Sequence, residues 1–384
     1  MKSNKNKMKL FLVPILSLIF IYGCAQAPTI ETNLRFETTI NFKLSDYLSE
    51  NSLLNDAVNS AFLTLDDTAI VAQLIMPATG RLGLDKDTII KFINNRQIGG
   101  VLMLNGTKEE FISWIRTFEK ANKAIGNLNF LYSADAEPSL VNRKIIGSKP
   151  VKKANEIFTI KEVYNVANSI SKDLNDIGIN YNFSPVVDMS PNKTVGFRSF
   201  GAIPKNIIPY SNAFIQRTQM HNIIATAKHF PGHGLVSGDT HKELQIINGE
   251  MLEIKNYPSL IANGLLSIMI AHIAIQNNAK YDTQGLPSTL SEKIVSQLLR
   301  DSLNFKGLII TDAMNMGGVI SVPLSASKAV RAGCDIILMP VSVVDTHNEL
   351  LTFYRTDPEF KKRVDESAKR IIRMKLALGL MKAK

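Results

Sequence analysis

The chain reads as an α/β protein folded as a single (β/α)8 TIM-type barrel, and three observations predict it. Apolar runs of β type alternate with longer segments of helical period; several helical segments stop at a glycine just before the next run; and the unusual polar residues fall where those runs end. Continuous apolar strands separated by helices imply a parallel sheet covered on its outer face. A count near eight over this length favours a closed barrel over an open sheet.

Taken in order, the strands are expected in AQLIMPA (72–78), GGVLMLNG (99–106), NFLYSAD (129–135), INYNFSPVVD (179–188), IIATAKHF (223–230), LLSIMIAHIAI (265–275), FKGLIITD (305–312) and CDIILMP (334–340). Between them lie helical segments such as KEEFISWIRTFEKANKAI, IKEVYNVANSISKDLNDIG and SEKIVSQLLRDSL. Gly126, Gly178, Gly264 and Gly333 sit where helices should end, because glycine accepts the left-handed conformation that closes a helix. The closing segment VDESAKRIIRMKLALGL is a basic amphipathic helix whose Ile371, Ile372 and Leu376 are expected on the barrel wall. No second domain fits after it.

The N-terminus reads as an address. Lys2, Lys5, Lys7 and Lys9, with no acid among them, lead into LFLVPILSLIFIY, an apolar run too short and badly flanked for a spanning helix. Residues 1–23 are therefore expected to be a signal peptide. The run ends in Ile21-Tyr22-Gly23-Cys24, similar to a bacterial lipobox, which implies diacylation of Cys24 as the new N-terminus and a membrane-anchored protein of the bacterial envelope. An ordinary signal peptide or an uncleaved anchor is the alternative, and export follows either way. Residues 24–50 read as a tether and lead-in, and 51–384 as the catalytic barrel.

Only one other cysteine exists, Cys334, so with Cys24 carrying lipid no intramolecular disulfide can form. In its apolar context AGCDIILMP, Cys334 reads as a small buried hydrophobe rather than a nucleophile. The formal charge of +10 overstates that of the mature protein, which loses four lysines with the signal. No basic run is dense enough to point to nucleic acid, and nothing in the sequence sets an oligomeric state.

The C-terminal ends of barrel strands carry chemistry because the loops converge there. Asp135 and Glu137, Asp188, Lys228 and His229, His272, and Asp312 all fall at such ends. The densest stretch is KHFPGHGLVSGDTH, residues 228–241. Lys228 and His229 are neighbours whose side chains reach one ligand only if the strand ends or bulges there. Pro231, Gly232 and Gly234 force an irregular turn, and Gly238 loosens the loop that follows. On that loop Asp239 lies two residues before His241, close enough to orient the imidazole, so the pair reads as a general acid/base. A metal site built from His229, His233 and His241 is the competing reading, although His233, between two glycines, suits a turn better.

KHFPGHG followed by four residues and DTH resembles the signature of glycoside hydrolase family 3, in its β-N-acetylglucosaminidase branch. GFRSFG (196–201), MIAHIAI, TDAMNM (311–316) and AGCDIILMP resemble further family segments in the same order, so the resemblance runs from about residue 65 to the C-terminus. It implies a retaining, exo-acting β-N-acetylglucosaminidase, without the second α/β domain of larger members and without a cofactor or metal. Substrates would be terminal N-acetyl-β-D-glucosaminyl residues of peptidoglycan fragments or other amino-sugar glycans. The family's nucleophile matches Asp312, its acid/base matches His241 oriented by Asp239, and Asp135, Arg143, Arg198, Lys228 and His229 match the residues that grip the sugar. Asp188 reads as a brace for its loop. One departure stands out: where relatives commonly carry Gly-Gly-Arg after the third strand, this chain has Pro138-Ser139-Leu140, and proline redirects the loop on the aglycone side. A β-glucosidase or xylosidase of the same family, and a non-catalytic glycan-binding lipoprotein, are the alternatives.

Overall fold

The structure, a computed structural model, describes residues 41–382. The signal peptide and Cys24 lie outside the described residues. Eight strands carry the fold: β1 (Ile75–Met76, resuming after Pro77 as Ala78–Thr79), β2 (Gly100–Met103), β3 (Leu131–Ala134), β4 (Tyr181–Asn182), β5 (Ile224–Phe230), β6 (Ser267–Ile270), β7 (Leu308–Thr311) and β8 (Ile337–Leu338). Each falls within a run expected from the sequence, save that β1 extends one residue further, to Thr79. All pair in parallel in chain order from β1 to β7, and β8 pairs with β1 and bridges to β7 through Ile336 and Ile310. The result is a curled parallel sheet.

Burial explains why these segments read as unbroken apolar runs. Every residue of the eight strands is buried, because one face meets the inside of the curl and the other meets helices. Each fully buried Leu, Ile or Val adds about 1.5–3 kcal/mol. The helices are delimited by chemistry that the sequence displays. Thr107 and Thr159 close capping boxes with Glu110 and Glu162, and Pro204 and Pro358 open helices at the first position. Gly178 and Gly333 cap their helices with φ of 97° and 118°, and Gly126 and Gly264 also adopt positive φ just beyond helix ends.

Two expectations shift. Part of the expected tether packs on the domain: Leu44–Leu48 form a 3-10 helix with Leu44 and Tyr47 buried, and Arg373 donates to the carbonyls of Tyr47, Asp46 and Ser49. Of the three residues expected on the barrel wall from the last helix, Pro358–Ala377, only Ile371 joins the main core. Ile372 and Leu376 instead bury against Leu54 and Val58 of the helix Ser52–Phe62, so a helix that the sequence reading passed over takes that face. Among the described residues, no helix is long and apolar enough to cross a membrane.

Candidate active site

At the C-terminal ends of the strands lies a cavity of about 570 Å³. It is lined by Asp135, Arg143, Arg198, Lys228, His229, Asp239, His241 and Asp312, so all eight residues singled out from the sequence meet there. What each does in that space follows from how it is held.

β5 supplies two neighbours to one cavity because it bulges. Ala227 and Phe230 oppose Ile268 and Ile270 of β6, so Lys228 and His229 together face the single intervening residue. The Lys228–His229 peptide is cis, as is Phe230–Pro231. Lys228 is almost fully buried, and its ammonium contacts Asp135 at 2.8 Å and Glu137 at 2.7 Å. Burial alone would lower its pKa, but the two carboxylates overcome that and raise it. Glu137 in turn takes both Nε and Nη2 of Arg198, at 2.8 and 2.7 Å. Although burial opposes ionisation, Arg198 and Lys228 hold the Glu137 carboxyl down to about 2.

Asp135 shares its second oxygen with Lys144 at 2.7 Å. Against its burial, Lys144 and Lys228 keep this carboxyl far below the ordinary range. The partner is a departure from expectation: Arg143 lines the cavity but is exposed and makes no ion pair among the described residues, while its neighbour Lys144 grips Asp135. Residues 141–144 form a single helical turn that aims Lys144 inward. The Pro138-Ser139-Leu140 substitution is accommodated by the Ser139 hydroxyl, which donates to the Phe197 carbonyl at 2.7 Å and accepts from the Ala154 N–H. Leu140 is buried at the cavity wall.

Asp188 acts as the brace that its position suggested. Fully buried, it accepts from the His229 ring Nδ1 at 2.6 Å and from the backbone N–H groups of His229 and His233. That leaves Nε2 as the free nitrogen of His229. His233 stands edge-on to His229, and burial pushes its pKa down to about 4. The turn beyond is held by a residue the sequence reading missed. Glu253 accepts from the N–H groups of Met189, Gly234 and Leu235, and only glycine fits at 234, where a Cβ would lie 1.7 Å from the Met189 carbonyl oxygen. Its 3-10 segment, Leu252–Asn256, carries no periodic signal that would have marked it.

Asp312 ends β7. Its Oδ1 accepts from the Ala313 N–H at 2.8 Å, and no other donor satisfies it among the described residues. Burial favours the neutral acid, yet His229, His272 and that N–H outweigh it and lower the pKa. His272 sits behind this loop with Nε2 donating to the Ala313 carbonyl at 3.0 Å and Nδ1 accepting from the Thr289 hydroxyl at 2.8 Å. Buried, with desolvation lowering its pKa, it fixes the peptide that carries Asp312.

The Asp239–His241 pair is built differently. Nδ1 of His241 donates to Asp239 at 2.8 Å, and the imidazole side chain is 62% exposed. Asp239 is kept ionised: partial burial works against it, but the N–H and ring of His241 prevail. The loop is clasped to the Asp312 loop by Gly317 and Gly318, whose N–H groups donate to the carbonyls of His241 and Thr240. A Cβ at 317 would lie 2.1 Å from the Lys242 carbonyl oxygen, so this close approach needs glycine. A carboxylate with one backbone partner and an oriented imidazole, both lining one cavity, are the two groups that double-displacement glycoside cleavage uses. Among the described residues, no group of three or more His, Cys, Asp or Glu side chains is placed to hold a metal ion.

Comparison with known proteins gives a consistent result. The profile of the glycosyl hydrolase family 3 N-terminal domain matches residues 65–374. A Cellulomonas fimi protein named beta-N-acetylglucosaminidase/beta-glucosidase is 28% identical over 294 residues, which cover 69% of this chain and 52% of that protein. A beta-hexosaminidase of Actinobacillus pleuropneumoniae is 36% identical over 176 residues, covering 42% of this chain and 49% of the relative. The chain thus spans about half the length of these curated relatives. Among solved structures, a family 3 beta-N-acetylglucosaminidase from Paenibacillus sp. superposes with a TM-score of 0.75 at 25% identity, covering 82% of this chain and 63% of that one.

Proposed function

Because the chain belongs to the glycosyl hydrolase family 3 N-terminal domain family, we propose that it is a retaining, exo-acting β-N-acetylglucosaminidase on a closed (β/α)8 barrel. The carrying observation is the convergence of Asp312 and the Asp239–His241 pair on one cavity that is also lined by the charged side chains of Asp135, Lys144, Arg198 and Lys228.

Asp312 attacks the anomeric carbon while the bond to the leaving oxygen breaks. His241, presenting Nε2 because Asp239 holds Nδ1, delivers a proton to that oxygen. A glycosyl ester on Asp312 results. A water molecule then attacks the same carbon, His241 takes its proton, the ester bond breaks and Asp312 is regenerated, so two inversions give net retention. Asp135, locked between Lys144 and Lys228, accepts from sugar hydroxyls through charge-assisted bonds. Arg198, Arg143 and His229 complete the grip.

Export and lipid anchoring through Cys24 in a bacterial envelope are part of the same proposal and rest on the signal-like residues 1–24. Metabolic labelling with palmitate should tag the native chain and not Cys24→Ala. The activity is tested by incubating the purified protein with p-nitrophenyl N-acetyl-β-D-glucosaminide and with the matching glucoside. Release mainly from the amino sugar is expected; equal or reversed preference overturns the assignment.

A further inference from the structure

A second cavity, of about 490 Å³, adjoins the first and shares Leu82, Asn315 and Met339 with it. It lies between the loop after β1 and the loop after β8, and Leu84, Phe92, Pro340, Val341 and Val344 form its other walls. Among the described residues no charged side chain lines it, whereas the first cavity is lined by five lysines and arginines and three aspartates. Leu82 is 69% exposed, Val341 66% and Val344 41%, so the groove presents apolar surface to solvent at the rim of the charged cavity. Apolar side chains gathered like this are worth about 25 cal/mol for each Å² a ligand covers.

The position of the groove relative to the chemistry selects its occupant. In the proposed reaction the sugar's hydroxyls meet Asp135, held by Lys144 and Lys228, and its anomeric carbon meets Asp312. Its leaving group must depart within reach of His241. The loop that follows Asp312 donates through Gly317 to the His241 carbonyl, and Asn315, on that same loop, is a wall of both cavities. The bond that breaks therefore sits where the charged cavity opens into the apolar groove.

We infer that this groove is the aglycone subsite and that it takes an apolar aglycone, an alkyl or acyl chain or an aromatic ring, in preference to a second charged or heavily hydroxylated sugar. The inference rests on the β-N-acetylglucosaminidase reading, narrows its substrate class and moves the aglycone side from the Pro138-Ser139-Leu140 loop, where the sequence placed it, to the loops after β1 and β8. Val341 and Val344 determine the preference, and Asn315 gates the passage.

The test uses methyl, butyl and octyl N-acetyl-β-D-glucosaminides, whose leaving alcohols have similar acidity, assayed below micelle-forming concentration by released N-acetylglucosamine. For the native chain kcat/KM should rise from methyl to octyl by roughly tenfold, the effect of covering about two methylenes, through a lower KM. In Val341→Asp and Val344→Asp the octyl-to-methyl ratio should fall towards one. A ratio near one in the native chain, with all three glycosides hydrolysed, overturns the inference and leaves the proposed activity standing. A high ratio that survives both substitutions overturns the placement. Hydrolysis of none of the three, nor of the p-nitrophenyl amino sugar, overturns the activity itself and the inference with it.

Discussion

The two ends of the sheet each bury a carboxylate, and they treat it in opposite ways. At the N-terminal end, Asp335 accepts from Arg300, Arg370, the Ser367 hydroxyl and the Ile309 N–H, so both its oxygens are occupied. Burial is countered there by the two guanidinium groups, which lower its pKa. At the C-terminal end, Asp312 keeps one backbone partner and turns the rest of its carboxylate to a cavity. Size does not separate the two ends, since a cavity of about 590 Å³ at the N-terminal end carries one charged residue, Lys43, and no acid. The difference teaches that Asp335, whose partners are complete, holds the fold together, whereas Asp312, left partly unpartnered at a strand end, is available as a nucleophile.

The largest expected effect breaks that comparison at the mouth. Asp312→Asn should lower kcat by at least about 10³-fold, the scale of losing a covalent nucleophile, with a melting temperature close to the native one. A variant that melts much earlier would mean that Asp312 serves the fold instead. Next comes His241→Ala, expected to cost about 10²–10⁴-fold on alkyl glycosides and far less on p-nitrophenyl glycosides, whose leaving group needs little protonation. Equal losses on both would remove the proton-donor role.

At the other end, Asp335→Ala should cost about 3–5 kcal/mol in denaturant unfolding, because it removes a fully buried carboxylate and strands two half-buried guanidinium groups. KM and kcat of the folded protein should stay near native; a selective loss of kcat would place Asp335 in the chemistry. A smaller effect sharpens the account of the sugar grip. Lys144→Met should raise KM by about tenfold with little change in kcat, since Asp135 keeps Lys228 but loses one charge-assisted bond. A fall in kcat with KM unchanged would contradict it.

A pH-dependent effect concerns Lys375, buried at the N-terminal end, whose acceptors among the described residues are Gln73 and the Gly99 carbonyl, at 2.7 and 3.0 Å. Burial lowers its pKa to about 7, against 10.5 for the unconstrained group. Between those values the unfolded chain binds more protons, so stability rises with pH. Melting curves of the native chain should therefore gain on those of Lys375→Met between pH 7 and 10; parallel curves would refute a buried, unpaired amine.

Much of this contrast was legible in the sequence, and the reason is physical. Strands buried on both faces must be continuously apolar, so a polar residue closing such a run, as Asp312 does after LIIT, marks a strand end that meets something other than core. The bulge at Lys228 and His229 was foreshadowed by two functional neighbours on one strand. Lys144 and Glu253 left no comparable trace. Lys144 points inward only because a four-residue turn rotates it there, and Glu253 meets the 233–235 turn across 18 residues of intervening chain. The helix Ser52–Phe62 was obscured because its apolar stripe packs on the last helix rather than on the sheet.

The most direct test of the central claim is to trap the glycosyl-enzyme with a slowly turned-over fluorinated N-acetylglucosaminyl fluoride, digest the protein and map the adduct by mass spectrometry. The account predicts one sugar per chain, esterified to Asp312. An adduct on any other residue, or turnover whose first product is the α-anomer with no adduct at all, would contradict it.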